Sequence, residues 1–295
     1  QGERHTSILG GRFQTGDFTS DDFLDRTPSA SYFNKPAANG HYLEGFERLS
    51  AYGYHHWKLH DDFMLIGGVA FDHLEYPENF RYPPLQAGQM ERERVSPKAG
   101  LVWSPRAALT LRAAYAKSLG GVVFDESYRL EPSQLAGFNQ SFRTLIPESA
   151  AGSVAGPDFE TWGTAVDLKL HKNTYFALRG ERLGSAVDRT VGVFDRPQFP
   201  FPKDIAIPAA TREKLDYEEQ SVIANIHQLL GSEWSVGSEY RYTRSELQTE
   251  MPEIPALLDN GAFQHQRSDL HELKFLLLFN HPRGFFARSE SLWLW

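Results

Sequence analysis

The sequence contains no cysteine among its 295 residues. Disulfide frameworks, thiolate metal centres and cysteine nucleophiles are therefore excluded. No apolar run approaches the ~18 residues that a membrane-spanning helix requires, which excludes a helical membrane protein. The net charge is −8, so there is no surplus of basic residues to neutralise nucleic-acid phosphates, and nucleic acid is excluded as a partner.

Recognisable catalytic and cofactor motifs are missing as well. The chain has no G-x-S-x-G, H-E-x-x-H, P-loop or dinucleotide fingerprint. The adjacent histidines His55 and His56 and the adjacent carboxylates Glu218 and Glu219 lie in predicted strands, where neighbouring side chains point to opposite faces. Neither pair can therefore line one site from one strand. The sequence predicts that the protein is not an enzyme and that it holds no metal or other cofactor.

What the sequence does contain is a series of segments in which apolar and polar residues alternate. For example, Trp234, Val236 and Tyr240 share one face of their segment, and Glu239 and Arg241 share the other. Alternation over about ten residues predicts a β-strand with one apolar face. About eleven such strands are predicted, over residues 6–16, 44–59, 63–76, 96–103, 108–118, 159–170, 174–187, 214–229, 233–247, 265–280 and 285–295.

The connections between the predicted strands alternate between tight and long. The tight ones lie at residues 60–61, 104–107, 171–173, 230–232 and 281–284, and the long polar ones at 17–43, 77–95, 119–158, 188–213 and 248–264. In an outer-membrane β-barrel, short turns face the periplasm and long loops face the outside. The sequence therefore predicts an all-β fold, a transmembrane antiparallel β-barrel surrounded by outer-membrane lipid.

The predicted strand number bears on how much of a barrel is present. Bacterial single-chain barrels have an even number of strands, whereas about eleven are predicted here. We therefore expect residues 1–295 to form one portion of a larger barrel, without a plug domain in this stretch. In the alternative, the terminal Leu-Trp-Leu-Trp at residues 292–295 is the aromatic end of a final strand.

Two predicted hairpins resemble a known family. Residues 94–105 read RVSPKAGLVWSP, residues 109–118 read LTLRAAYAKS, and a similar hairpin at residues 48–76 precedes them. These segments resemble the barrel of TonB-dependent outer-membrane receptors. The resemblance implies ligand uptake, with the TonB complex as a partner through a segment outside this chain. After Ser118 the sequence departs from that pattern, and the long stretch that follows is similar to outer-membrane proteins that join periplasmic tetratricopeptide repeats to a receptor-like barrel.

Inward-facing charges and loop aromatics are the candidate ligand contacts. Mixed charges facing a hydrated lumen can brace the barrel wall or contact a ligand, and both readings stay open. Residues 119–158 are expected to capture or gate the ligand and to include a short helical turn at 134–142. The wider lumen-facing set is Lys58, Asp72, Lys98, Asp167, Lys169, Glu181, Glu272, Lys274, Arg288 and Glu290. The candidate ligand-binding residues are Arg112, Phe124, Tyr128, Phe138, Phe142, Arg179, Glu239 and Arg241.

The sequence thus predicts an outer-membrane transport protein that takes up a small-molecule or polymer ligand. Arg182 and Arg244 face outward and are expected near the lipid headgroups or above them, because outward charges are costly at mid-membrane. Two alternatives remain: an export outlet with periplasmic repeats, and a soluble all-β binding protein. Solubility without detergent would favour the soluble protein, and heat-modifiable migration in gels would favour the barrel.

Overall fold

The computed structural model of the chain describes residues 4–24, 38–122, 130–140, 155–171, 173–195, 207–255, 257 and 260–295. Its strands are β1 (His5–Leu24), β2 (Ala38–His60), β3 (Phe63–Asn79), β4 (Gln86–Arg106), β5 (Leu109–Leu119), β6 (Gln134–Leu135), β7 (Phe138–Asn139), β8 (Asp158–His171), β9 (Thr174–Asp195), β10 (Ile207–Leu230), β11 (Trp234–Glu250), β12 (Phe263–Asn280) and β13 (Phe286–Leu294). A single turn of 3-10 helix, Asn260–Ala262, precedes β12. Within the described residues, no helix is long and apolar enough to cross a membrane.

Eleven of these strands form one antiparallel sheet in which each strand pairs with the next along the chain. The order is β1-β2-β3-β4-β5-β8-β9-β10-β11-β12-β13, and β6 pairs separately with β7. Among the described residues, β1 and β13 are the two edges of the sheet, so the barrel is not closed. The predicted eleven-stranded, all-β antiparallel architecture is confirmed.

On the side of the long connections, the strands extend further than the sequence predicts. β4 begins at Gln86 and β10 at Ile207, so much of the predicted loops 77–95 and 188–213 is strand. Strand pairing needs backbone hydrogen bonds alone, whereas apolar outward side chains are required where the barrel faces lipid. The alternation criterion therefore detects the lipid-facing part of each strand and misses its polar extension.

The two faces of the sheet have opposite chemistry. We call the face against which residues 130–140 pack the inner face. Large apolar side chains are exposed on the outer face, among them Leu9, Phe13, Leu49, Val69, Val95, Trp162, Leu178, Val222, Ile226 and Phe275. Polar and charged side chains are buried on the inner face, among them Arg48, Asp72, Ser96, Lys98, Glu219 and Thr243. Apolar outside and polar inside is the arrangement of a barrel in lipid.

The outer face changes from apolar to ionic near the level of Gln220 on β10. Gln220 lies opposite both Arg182 and Arg244 in the ladder, and each arginine binds a carboxylate, at 2.8 and 2.9 Å respectively. From Gln220 down to Leu230 there are ten residue steps. At ~3.3 Å per step and a strand tilt of roughly 40°, this is a height of about 25 Å, the height of a lipid-facing band. Arg182 and Arg244 therefore lie at the boundary expected for headgroups.

The connection between β3 and β4 contacts β9. The carbonyl of Tyr82 accepts a hydrogen bond from the backbone nitrogen of Gly192 at 2.9 Å, and the Arg189 guanidinium lies 4.2 Å from the centre of the Tyr82 ring. At its other end, the backbone nitrogen of Leu85 donates to Asp22 on β1 at 2.7 Å. This connection therefore braces strands that are far apart in the sheet.

Candidate functional site

Residues 130–140 belong to the long connection between β5 and β8, and they fold back over the inner face of the sheet. Their strands β6 and β7 pair across Ala136 and Gly137, whose φ angles are 49° and 85°. Positive φ at both positions is the backbone of a tight two-residue hairpin turn. We call this segment the inner hairpin. The helical turn predicted over residues 134–142 is therefore wrong within its described part. The sequence did not indicate the hairpin, because an Ala-Gly turn lacks the Asn-Gly or Asp-Gly pair that is typical of such turns.

Two glycines of the sheet make room for the apolar side chains of the inner hairpin. Leu135 is 2% exposed and Phe138 is 5% exposed. A Cβ atom added at Gly100 would lie 3.2 Å from Cγ of Leu135, and one added at Gly163 would lie 2.2 Å from the Phe138 ring. Because Gly100 and Gly163 have no side chains, the sheet has a hollow at each position. We call these hollows sockets; they hold Leu135 and Phe138 respectively.

A buried ion pair holds the start of the inner hairpin. Lys98 Nζ lies 3.1 Å from Glu131 Oε1, and the Lys98 side chain is fully buried. The Tyr54 hydroxyl donates to Glu131 and lies 2.9 Å from Oε1 of Gln140. Because desolvating two charges is costly, a buried pair is stable when further hydrogen bonds satisfy it. Tyr54 provides such a bond and joins both ends of the hairpin to β2.

Three inward-facing arginines lie in one row of the ladder. Arg112 on β5 pairs with Ala165, and Ala165 pairs with Arg179 on β9. Arg179 pairs in turn with Ile223, and Ile223 pairs with Arg241 on β11. We call Arg112, Arg179 and Arg241 the arginine row. Its members are two strands apart, which separates their backbones by ~10 Å, since neighbouring strands lie ~4.8 Å apart.

The inner hairpin packs against the first two members of the arginine row. The guanidinium carbons of Arg112 and Arg179 lie 5.6 and 5.5 Å from the centre of the Phe138 ring, so both cations contact the π system. Arg112 also donates to both oxygens of Asp167, at 2.8 and 3.1 Å. The contact between Arg179 and Glu181 is longer, at 3.4 Å, and the Arg179 side chain is 37% exposed. Arg112 is therefore fixed as a brace, whereas Arg179 is more accessible.

Glu239 and Arg241 lie on β11, beyond the inner hairpin. In the ladder, Glu239 is opposite Lys274 and Arg241 is opposite Glu272. The Nε atom of Arg241 is buried and forms no hydrogen bond with any described residue. The residue as a whole is half-buried, so a ligand in the lumen could contact other atoms of the Arg241 side chain.

The structure thus brings Arg112, Phe138 and Arg179 together and places Arg241 in the same row. Phe124, Tyr128 and Phe142 lie outside the described residues, so their expected role stays a prediction. Residues that the sequence analysis missed are those that anchor the inner hairpin, above all Glu131, Leu135, Gly100 and Gly163. No signal could have found them, because their contacts depend on where a loop folds rather than on strand alternation.

Some charged pairs on the inner face are braces. Arg48 and Asp72, both nearly inaccessible, bind each other at 2.8 Å across β2 and β3.

Among the described residues, His73, Glu75 and Glu91 form a group that could hold a metal ion, because their ligand atoms lie within 4.8 Å of one another. This group lies on the outer face, on the opposite side of the sheet from the arginine row.

Comparisons with solved structures give distant similarities. The chain is 10% identical to a variant of the ferric enterobactin receptor from Pseudomonas aeruginosa, with a TM-score of 0.44, over 97% of this chain and 45% of that one. It is 12% identical to the outer membrane transporter YddB from Escherichia coli, with a TM-score of 0.43, over 100% of this chain and 39% of that one. It is 10% identical to the toluene transporter TodX from Pseudomonas putida, with a TM-score of 0.40, over 100% of this chain and 76% of that one. The chain thus spans less than half the length of the first two.

The family comparison is more decisive. No curated protein matches the chain. A family model described as TonB dependent receptor-like, beta-barrel, matches residues 1–161, which is more than half of the chain. The match includes both hairpins whose sequences resemble that family, and the sheet has the polar inner face and apolar outer face of an outer-membrane barrel. The chain belongs to the TonB-dependent receptor-like β-barrel family.

Proposed function

We propose that this chain forms the wall of a transporter that takes up an anionic ligand across the outer membrane, with Arg179 and Arg241 as ligand contacts. The observation that carries the proposal is the register that aligns these arginines in one row on the inner face. The partial exposure of both residues supports it further. Arg112 stabilises the wall instead, since its guanidinium group binds Asp167 and the inner hairpin.

Electrostatics explains why such a row suits an anion. A guanidinium presents several N–H donors in a fixed plane that matches carboxylate and phosphate geometry. Two cations ~10 Å apart let an anionic group leave one contact as it approaches the next. The carboxylates nearby keep the wall close to neutral, so binding stays weak enough for release.

The direction of transport is part of the proposal. The family is named for TonB-dependent receptors, which favours uptake over the alternative of an export outlet. The TonB complex would then supply energy through a segment outside this chain. The outer-membrane location is incompatible with the soluble all-β binding protein.

The flux of two probes into proteoliposomes tests the proposal. The complete protein is reconstituted together with an energised TonB complex, and the entry of citrate, a small multivalent anion, is compared with that of sucrose, a neutral probe. We expect each of Arg179→Ala and Arg241→Ala to lower the citrate-to-sucrose ratio roughly fivefold, since one charge contact in water is worth ~1 kcal/mol. Arg182→Ala, which removes an outward-facing cation, is the matched control and should leave the ratio unchanged. Equal ratios in all variants would contradict the proposal.

A further inference from the structure

We propose that the outer face of the sheet carries a binding site for a divalent transition-metal cation such as Zn²⁺, with His73, Glu75 and Glu91 as its ligands. The bound cation joins β3 to β4 and neutralises a row of carboxylates. The site lies on the opposite side of the wall from the arginine row, so it does not depend on the proposed transport function. The sequence analysis predicted no metal, because these ligands come together only through the register between two strands.

The three side chains provide the kinds of donor that such a cation prefers. Their ligand atoms, one from each residue, all lie within 4.8 Å of one another. Nε2 of His73 lies 3.4 Å from Oε1 of Glu75, and two ligands held at ~2.1 Å from a tetrahedral Zn²⁺ are themselves ~3.4 Å apart. Imidazole nitrogen and carboxylate oxygen are both common ligands of Zn²⁺, and three protein ligands leave a fourth position for water.

A further carboxylate orients the imidazole of His73. Its Nδ1 forms a hydrogen bond with Oε1 of Glu93 at 3.2 Å, and histidines that bind metals commonly donate their other ring N–H to a carboxylate in this way. With the proton on Nδ1, the lone pair of Nε2 faces Glu75, so this close approach requires a positive charge between the two atoms. Oε1 of Glu91 lies 3.7 Å from Nδ1, and its side chain is 63% exposed, so a rotation can bring this oxygen to the cation.

The charge balance around His73 favours a metal ion over a proton. In the ladder, Glu47, Glu75 and Glu91 lie directly opposite one another on β2, β3 and β4, and like charges at opposed positions destabilise a sheet. Within the part of the chain that the structure describes, no lysine or arginine forms an ion pair with Glu75, Glu91 or Glu93, and His73 is their ion-pair partner. A protonated imidazole has a single positive charge, whereas a divalent cation has two.

Other carboxylates of the outer face differ from this group because a cationic side chain neutralises them. Glu160 binds Lys117 at 3.1 Å, and Glu218 binds Arg182 at 2.8 Å. The acidic row on β2, β3 and β4 is therefore the part of the described outer face where a cation from solution gains most.

The height of the site on the wall makes it accessible to such a cation. His73 lies ten residue steps from Phe63, where β3 leaves its tight turn, and Gln220 lies ten steps from Leu230 at the tight-turn end of β10. The site is therefore at the ionic level of the outer face, about 25 Å from the tight turns. Headgroups and water surround this level, so the cation does not have to enter hydrocarbon.

Calorimetric titration of the complete protein in detergent, with Zn²⁺ itself as the probe, tests the proposal. We expect tight binding of Zn²⁺ and much weaker binding of Mg²⁺, which prefers oxygen ligands to imidazole. His73→Gln should weaken the Zn²⁺ binding by roughly tenfold or more, since even residues that only orient a ligand contribute 10- to 100-fold in affinity. His265→Gln is the matched control, because His265 also lies beside a carboxylate, Glu246, at 3.7 Å, and it should bind Zn²⁺ as the unmodified protein does.

Heat-modifiable gel migration confirms that each variant is folded, and Glu91→Gln, at a mostly exposed position, takes the place of His73→Gln if that variant does not fold. Equal Zn²⁺ affinity in the unmodified protein and in the ligand variant would overturn the proposal. Equal binding of Zn²⁺ and Mg²⁺ would overturn it as well, because it would mean that the carboxylates attract cations without the imidazole. No transport is measured in this titration, so its outcome is independent of the citrate experiment.

Discussion

The assignment of the two faces can be tested by placing a charge in the middle of the lipid-facing band. Ile226 on β10 is 45% exposed on the outer face. It lies six residue steps from the ionic level at Gln220 and four from the end of the strand at Leu230. With ~25 Å between those levels, Ile226 is close to the midplane of the bilayer. We predict that Ile226→Arg destabilises the barrel strongly.

The magnitude follows from the depth. An arginine on the lipid face at the midplane of a barrel costs roughly 2–4 kcal/mol, which lowers the folded-to-unfolded ratio by about 30-fold to about 1,000-fold. The neighbouring Asn225 points to the inner face, opposite Glu239 in the ladder. Asn225→Arg therefore meets water and a carboxylate, and its expected cost is about 0.5 kcal/mol or less.

Urea titration of the protein folded into liposomes measures both changes, with heat-modifiable gel migration as the readout of the folded state. We expect the midpoint of Ile226→Arg to fall well below that of the unmodified protein and the midpoint of Asn225→Arg to stay near it. If the two variants unfold at the same urea concentration, the outer and inner faces have been assigned wrongly.

Three further changes can be measured in the same titration. Val236→Arg, nearer to the tight-turn end of the barrel, should cost less than about 2 kcal/mol because the penalty falls toward the interface; a larger cost than at mid-band would contradict the depth estimate. Gly163→Val should cost about 1–3 kcal/mol by forcing a side chain into the Phe138 ring, and Phe138→Ala in the same chain should restore most of it; additive losses would mean that the two residues do not touch. Asp72→Ala, which removes the carboxylate beside the buried Arg48, should cost about 3–5 kcal/mol, whereas the isosteric Asp72→Asn should cost less; equal effects would show that the charge of the pair is unimportant.

Much of the fold can be predicted from the sequence because lipid imposes a strict rule on side chains. An outward position within the band must be apolar, so alternations such as Trp234, Val236 and Tyr240 against Glu239 and Arg241 reveal both the strand and its faces. The same rule explains the failure at residues 86–95 and 207–213, where the ladder continues although the rule no longer applies. The alternation of apolar and polar residues indicates which part of a strand faces lipid. It does not indicate the full length of the strand.

The candidate site was predictable in part. Arg112, Arg179 and Arg241 were identified as inward-facing because the direction of a side chain follows from its parity within the strand. These three arginines lie in one row because of the register between strands that long connections separate. The residue types do not encode this register directly. Register is set by the pairing of whole strands.

By itself, the sequence determined the strand number, the up-and-down order, the two faces and the family, because each of these follows from local alternation, from connection length or from the motif at residues 94–118. Tertiary structure alone decided where residues 130–140 lie. Their position results from sockets at Gly100 and Gly163 and from the buried pair of Lys98 and Glu131, contacts between residues far apart in the chain. The sequence of a loop has no periodicity that indicates whether the loop extends into water or folds into the barrel. Its position therefore depends on its contacts with the barrel wall.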